Sequence, residues 1–186
     1  MEGGAEEEDM LLAAAGRGEG AAFRRLAERH ADRAFAVALR ITGRRSDAED
    51  VVQEAFLRTW QHAARWRPGR ARFSTWLHRV VVNVCLDRAR AAARERPVPV
   101  EAAIELADPA PGAEDRLALQ ERERAVLEAV RALPERQRAA LALVHAGGLG
   151  QAEVAEVLEL SVGAVESLLS RARRSLRERL ATAEER

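Results

Sequence analysis

Four prolines within sixteen residues divide the chain into two parts. The segment from Pro97 to Gly112 reads PVPVEAAIELADPAPG. Each proline lacks a backbone N–H and fixes φ, so we expect no helix through this segment. An extended linker of these 16 residues would reach roughly 50 Å at about 3.1 Å per residue. The two parts could then occupy separate sites on one partner.

The composition is that of a folded, water-soluble chain. Of its 186 residues, 47% are apolar and 32% are charged, which excludes a disordered polymer. Its apolar runs are far shorter than the roughly 20 residues that span a bilayer, and its first residues lack a basic, apolar leader. We therefore expect a cytoplasmic protein without membrane insertion. One cysteine, Cys85, and four scattered histidines predict no disulfide, no metal site and no cofactor.

Apolar residues at steps of three and four predict helices in both parts. One such run extends from Phe23 to Ile41 and stops at Gly43, and a capping box of Ser46 and Glu49 begins the next helix. That second helix should turn its apolar residues inward, namely Val52, Phe56 and Trp60. In the second part we expect helices at about 114–133, 135–146, 151–158 and 162–180.

The predicted fold class is all-α, with two small helical domains joined by a proline-rich linker. The second domain has four helices, two of which form a helix-turn-helix. The predicted boundaries are an acidic tail at 1–8, a first domain at 9–96, the linker at 97–113 and a second domain at 114–186. Glu6 to Asp9 are expected to act as a solubilising tail.

Charge is balanced over the whole chain but is unevenly distributed along it. All 30 basic residues are arginine, against 30 acidic residues. Residues 55–96 hold 10 arginines and 2 acidic residues, which gives a local charge of +8. A second basic patch lies between Ser167 and Leu180. Two basic patches favour a polyanionic partner, although solvated helix faces would produce the same pattern.

Residues 151–176 have the spacing of a helix-turn-helix. A short helix is followed by the break Glu159-Leu160-Ser161, and Ser161 is expected to cap the second helix. A helical hairpin in any bundle would have the same layout. In a DNA-binding protein, the outward face of the second helix would contact base edges and phosphates in a major groove. That face carries Glu166, Ser167, Ser170, Arg171 and Arg174.

Five segments, taken in order, resemble the short, two-domain RNA polymerase sigma factors of the extracytoplasmic-function (ECF) type. They are AFRRL at 22–26, DAEDVVQEAFL at 47–57, FSTWL at 73–77 with Asn83 downstream, LPERQR at 133–138 and SVGAV at 161–165. The resemblance covers roughly residues 9–180. The chain departs from the family at Glu159, where the turn usually has glycine, and at Gly150, where the helix usually has a serine cap. Glu159 would cost about 1 kcal/mol if its φ is positive.

The resemblance implies three binding surfaces, and it implies core RNA polymerase and promoter DNA as partners. The polymerase surface would be one helix face, which carries Asp50, Gln53, Glu54 and Leu57. The minus-35 surface would be the outward face of the helix that Ser161 caps. The minus-10 surface would melt the promoter and hold unstacked bases, with Phe73 and Trp66 favoured as base contacts and Trp76 expected in the core. Its residues are Trp66, Arg67, Arg70, Arg72, Phe73, Arg79 and Asn83.

The resemblance also implies control by an anti-sigma factor. The sequence motifs separately predict that the chain is not an enzyme. No glycine-rich phosphate loop, nucleophile elbow or paired ligand motif occurs in the sequence. An alternative function is that of a helix-turn-helix regulator that binds duplex DNA without core polymerase. A helical adaptor that binds only protein is a further alternative. Without the resemblance, the acidic helix face would be interpreted as an ordinary solvated surface.

Overall fold

The computed structural model describes residues 2–67, 72–95 and 124–184. These residues form eight helices and contain no strand, which confirms the all-α prediction. Each helix within these ranges is too short or too polar to span a bilayer. The predicted linker, 97–113, lies outside the described residues. The helices are α1 (Glu2–Gly16), α2 (Gly20–Thr42), α3 (Arg45–Ala63), α4 (Phe73–Glu95), α5 (124–131), α6 (Glu135–His145), α7 (Gln151–Leu158) and α8 (Val162–Glu184).

Helix α2 is the centre of the first domain and follows the predicted apolar pattern. It ends where the pattern stops, because Gly43 has a φ of 74° and its N–H donates to the carbonyl of Leu39 at 2.8 Å. Glycine adopts this left-handed conformation at little cost, whereas most other residues do not. The buried face of α2 consists of Ala22, Leu26, His30, Ala34, Val37, Ala38 and Ile41.

Helix α3 differs from the prediction in its cap and in its buried face. The capping box does not form, since the helix begins at Arg45 without a side-chain cap and Glu49 instead accepts from Arg45 at 2.8 Å. Phe56 and Trp60 are only half-buried and pack edge-on against Phe23. The inward positions carry smaller side chains, which let neighbouring helices approach closely. They are Ala48, Val51, Ala55, Thr59 and Ala63.

The acidic residues near the start of the chain belong to helix α1, which corrects the prediction of a solubilising tail. Glu7 accepts from Arg29 at 2.8 Å, Glu8 lies 2.9 Å from the His30 ring nitrogen, and the Trp66 indole donates to Asp9 at 2.9 Å. Leu12 of the same helix is 1% exposed and belongs to the core. Helix α1 is therefore an integral part of the first domain.

The second domain contains α5 to α8, and α7 and α8 form the predicted helix-turn-helix. Ser161 accepts from the N–H of Ala164 at 3.2 Å, so the predicted cap is confirmed. The buried stripe of α8 consists of Val165, Leu169 and Ala172, while Leu176 is half-buried. Helix α6 buries five consecutive residues, Ala139 to Leu143, because other helices pack on several of its sides.

The two domains pack against each other. Helix α2 contacts α6, and α4 contacts both α7 and α6, so that buried residues from both domains form one continuous apolar cluster. Arg131 of α5 donates to the carbonyl of Gly43, at the end of α2. A side chain at position 43 would begin 2.7 Å from the Arg131 guanidinium. The end of α2 is therefore a point of close approach between the domains.

Candidate nucleic-acid and protein interfaces

The acidic face of α3 is accessible to a partner. Asp50, Gln53 and Leu57 are exposed and Glu54 is half-buried, which brings all four predicted polymerase contacts to one side of the helix. Leu57 is 56% exposed, so its apolar side chain is accessible to a partner. An apolar side chain among carboxylates on a rigid helix suits docking of a protein with a basic and apolar surface.

Arginines from two helices hold Glu54 in its charged form. Arg58 lies 2.5 Å from one carboxylate oxygen of Glu54, and Arg88 of α4 lies 3.2 Å from the other. Burial alone would raise the pKa of Glu54, but the hydrogen bonds from Arg88 and Arg58 outweigh it and lower that pKa. Glu54 is therefore an anion at neutral pH.

The structure corrects the prediction that Phe73 contacts bases. Phe73 is 2% exposed and packs edge-on against Trp66 and His30, with ring centroids 6.0 and 5.0 Å apart. Trp66 is half-buried, and its indole N–H donates a hydrogen bond to the Asp9 carboxylate. Phe73 belongs to the apolar core, where His30 of α2 and Trp66 pack against its ring. In this arrangement Phe73 presents no face on which a base could stack.

Trp76 is an aromatic candidate that the sequence reasoning assigned to the core. It is half-buried and stacks on His62, with a centroid distance of 5.2 Å. Arg79 and Asn83 follow it at i+3 and i+7, so the three side chains share one face of α4. The i, i+3, i+7 spacing of these three residues was the feature of the sequence that could have indicated their shared surface. Asn83, Arg67 and Arg72 are exposed, Arg79 is partly exposed, and Arg70 lies outside the described residues.

The outward face of α8 agrees with the prediction at every position. Ser161, together with Glu166, Ser167, Ser170, Arg171 and Arg174, is exposed. Arg171 and Arg174 also border an open cleft of about 430 Å³, whose other side is lined by Gln137 of α6 and by Pro134, which precedes that helix. A positively charged helix face beside an accessible cleft is suited to a nucleic-acid backbone and its base edges.

The turn between α7 and α8 has an unusual backbone. Glu159 has φ 55° and ψ 48°, and it is the one non-glycine residue with positive φ in the described ranges. The N–H of Leu160 donates to Ala155 at 2.9 Å and that of Glu159 to Glu156 at 3.4 Å, which closes the end of α7. Glu159, which stands where the family usually has glycine, therefore adopts the expected left-handed conformation, and the fold accommodates it.

The structure also shows the surroundings of the metal-binding and nucleophilic types of residue. Within the described ranges no three His, Cys, Asp or Glu residues are grouped as a metal would require. Cys85 is buried, and burial raises the pKa of its thiol to about 12. The thiol is therefore protonated at neutral pH and is a poor nucleophile.

Sequence comparison assigns both domains to known protein regions. Residues 26–95 match the family described as Sigma-70 region 2, and residues 123–176 match Sigma-70, region 4. The chain is 38% identical over 167 residues to the ECF RNA polymerase sigma factor SigM of Mycobacterium tuberculosis, with 89% of this chain and 81% of that protein covered. The chain belongs to the ECF RNA polymerase sigma factors. The two regions and the relatives support promoter-directed initiation of transcription with RNA polymerase.

Another relative and two solved structures are also similar to the chain. The ECF sigma factor SigE of Mycolicibacterium smegmatis is 36% identical over 160 residues, which cover 84% of this chain and 60% of that protein. The solved structure of CnrH in complex with the cytosolic domain of CnrY has a TM-score of 0.68 and 29% identity, with 95% and 98% of the two chains covered. RpoE of Bartonella quintana, solved with the anti-sigma factor NepR, has a TM-score of 0.66 at 24% identity and so supports the fold alone.

Proposed function

We propose that this ECF sigma factor divides its contacts among three helices. Helix α3 binds core RNA polymerase, α4 holds the melted minus-10 element, and α8 reads the minus-35 element. The observation that carries the proposal is the outward face of α8, where every predicted DNA-facing side chain is exposed while the opposite stripe is buried. In the proposed organisation the first domain includes all of α1 and ends at residue 96, followed by the linker at 97–113 and the second domain at 114–186.

The polymerase assignment rests on the composition and order of the α3 face. Leu57 supplies apolar area, and Asp50 and Glu54 supply charge next to it. Truncating a central apolar anchor usually costs a complex more than removing a charge at its rim. We therefore expect Leu57 to contribute more than Asp50, which is the more exposed of the two carboxylates.

The minus-10 assignment is revised to the accessible stripe of α4. Trp76 offers a ring, Asn83 offers an amide that hydrogen-bonds to base edges, and Arg79 offers charge for phosphates. Arg67 and Arg72 extend the basic surface, and Arg70 and Trp66 remain part of the proposal. Phe73 acts by shaping the domain beneath these residues and not by stacking on a base.

We further propose that the chain binds an anti-sigma factor and that it acts by binding, without catalytic residues of its own. CnrH, which is similar over nearly the whole chain, was solved with the cytosolic domain of CnrY. A protein that covers the α3 or α4 face of this chain would compete with polymerase or DNA. The proposed location is the cytoplasm, where RNA polymerase and chromosomal DNA are found.

A gel-shift experiment with and without core polymerase tests the proposed function. Promoter DNA selected from a random library should shift only when the chain and core polymerase are both present. A shift by the chain alone would favour the alternative of a helix-turn-helix regulator. Absence of any shift, together with binding to protein partners, would favour a helical adaptor. Core polymerase without the chain is the control.

A further inference from the structure

A hydrogen bond joins α1 to the segment between α3 and α4. The indole Nε1 of Trp66 donates to Oδ1 of Asp9 at 2.9 Å. An indole has one N–H donor and no acceptor, so a single well-placed acceptor sets the direction in which the ring points. The torsion that rotates the ring is otherwise only broadly restricted. Asp9 therefore fixes the orientation of the Trp66 ring.

Helix α1 is itself held against two other helices of the first domain. Next to Asp9, the Glu8 carboxylate lies 2.9 Å from the ring nitrogen of His30 on α2. At the other end of α1, a side chain at Gly16 would begin 2.9 Å from the carbonyl oxygen of Ala63, the last residue of α3. Glycine is needed there because the two backbones approach each other closely. Asp9 is therefore carried by a helix that is fixed against both α2 and α3.

The Trp66 ring in turn orients a second tryptophan. Trp66 packs edge-on against Trp76, with ring centroids 5.6 Å apart and ring planes at 75°. It packs in the same way against Phe73, at 6.0 Å and 76°. Such pairs depend on the angle between the rings, because the positive edge of one ring meets the negative face of the other. A change in the angle of Trp66 therefore changes the position that Trp76 prefers.

Trp76 connects this packing to the surface of the first domain. Its ring stacks on His62 at the end of α3, with centroids 5.2 Å apart and ring planes at 22°, and His62 is exposed. We name Trp66, Trp76 and His62 the aromatic array. The array begins at the Asp9 carboxylate and ends on the surface that we assign to the minus-10 element.

We propose that Asp9 is a positioning residue for promoter opening. By accepting from Trp66, it holds the aromatic array in the arrangement in which the exposed end of the array meets a base released from the duplex. Stacking on a protein ring offsets part of the cost of unstacking a base, and a ring that is already oriented loses less entropy on contact. The proposal rests on the assignment of Trp76 to the minus-10 surface. It adds a residue that precedes the match to Sigma-70 region 2.

Indole N–H signals test the geometry in the free, full-length chain. The sequence has three tryptophans, so a proton–nitrogen correlation spectrum should contain three indole signals, which Trp→Phe variants assign. Asp9→Ala should shift the signals of Trp66 and Trp76 and should speed hydrogen exchange at the Trp66 indole, because its N–H loses an acceptor. Trp60 packs against Phe23 and should keep its signal, which makes it an internal control. An unmoved Trp76 signal would overturn the proposal.

Promoter opening by the chain with saturating core polymerase tests the role itself. Asp9→Ala should slow the appearance of permanganate-reactive thymines by about tenfold, as expected for the loss of one hydrogen bond to a charged group. Asp9→Asn keeps an acceptor oxygen and should open the promoter at nearly the normal rate. Equal slowing by Asp9→Asn and Asp9→Ala would show that only the charge matters, and it would overturn the proposal.

Two further variants separate this role from the folding of α1. Glu7→Ala removes a contact with Arg29 but keeps the acceptor of Trp66, so the signals of the array and the opening rate should not change. Trp66→Phe removes the donor, and in that background Asp9→Ala should slow opening no further. Additive slowing in the double variant would assign the effect of Asp9 to the stability of α1 and overturn the proposal. Circular dichroism checks that each variant keeps its helices.

Trp76→Ala shows which assignment fails if Asp9→Ala opens the promoter at the normal rate. Slow opening by Trp76→Ala alone would reject Asp9 as a positioning residue and retain the minus-10 surface. Normal opening by both variants would reject Trp76 as part of that surface, and with it the role of Asp9.

Discussion

Arg88 of α4 joins two carboxylates that lie one turn apart on α3. Its guanidinium lies 3.2 Å from Glu54 and 3.2 Å from Asp50, at i and i+4 of the helix. The acidic face proposed for polymerase binding is therefore held from a neighbouring helix, and its two charged groups share one cation. Side chains that share a partner do not contribute independently.

Because Asp50 and Glu54 share Arg88, we predict that substitutions at these two positions have non-additive effects on polymerase binding. Leu57→Ala and Glu54→Ala should each weaken the complex with core polymerase by about 1–2 kcal/mol, or roughly five- to thirtyfold. The combined loss from Asp50→Ala and Glu54→Ala should be smaller than the sum of the single losses, because Arg88 loses both partners. Competition for core polymerase against a labelled sigma factor measures each effect. Glu28→Ala removes an exposed charge from α2 and should change little; an equal loss there would contradict a specific surface.

The burial of Phe73 predicts that its substitution destabilises the first domain. Phe73→Ala should lower the free energy of unfolding by about 3–5 kcal/mol, the usual cost of removing a buried phenylalanine ring. Trp76→Ala should cost less, because the ring is half-buried, but should slow promoter opening. Urea denaturation gives the first quantity and permanganate reactivity of promoter thymines gives the second. Normal stability of Phe73→Ala with slow opening would restore Phe73 as a base contact.

Local sequence signals determine helices, which explains why the helices were predictable. The apolar period of α2, the left-handed glycine at position 43 and the cap at Ser161 each depend on residues within one or two turns. The exposed face of α8 follows from its buried stripe for the same reason. These features therefore agree with the sequence prediction.

Contacts between distant segments explain what the sequence did not predict. Asp9 and Trp66 are 57 positions apart, so nothing local indicates that an acidic start pairs with an aromatic loop. Phe73 is buried against His30 and Trp66, whereas Trp76 is half-buried against His62, and the local sequence does not indicate this difference. The contact of Arg79 with α7 crosses 77 positions and depends on how two domains meet.

The exposed face of α8 carries two arginines, Arg171 and Arg174, for which we predict different contacts with DNA. If Arg171 pairs with a guanine edge, Arg171→Ala should cost about 1–3 kcal/mol and relax preference at one base pair. Arg174→Ala, as loss of a phosphate contact, should weaken all sequences alike. Glu166→Ala should shift base preference if its carboxylate accepts from a cytosine amino group. Transcription from a library randomised in the upstream element measures all three. Identical selected sequences for the unsubstituted chain and every variant would show that α8 does not read bases.

We predict that the chain loses stability in mild acid, because His78 is buried. His78 donates from Nδ1 to the carbonyl of Ser74 at 2.7 Å, and burial lowers its pKa below the ordinary value of 6.5. His30 and Arg33 disfavour its charged form, and Glu153 opposes them only in part. The unfolded chain therefore binds more protons than the folded chain below about pH 6.5, and stability falls as the pH falls.

The measurement compares urea denaturation at about pH 7 and pH 5. The unsubstituted chain should be less stable at the lower pH, and His78→Gln should reduce that difference even if it lowers stability at both values. His145→Gln, at an exposed position, serves as the control. A pH dependence that is the same in all three proteins would assign the effect to other groups.

The packing of α1 shows that the first domain, as a folding unit, begins before the residues that match the family. The match to Sigma-70 region 2 begins at Leu26, whereas Leu12 fills the core and Glu7, Glu8 and Asp9 bind side chains well inside the match. A fragment cut at residue 26 would leave an apolar groove open to water and Trp66 without its acceptor. Such a fragment should aggregate or bind foreign helices, and a usable first domain has to include α1.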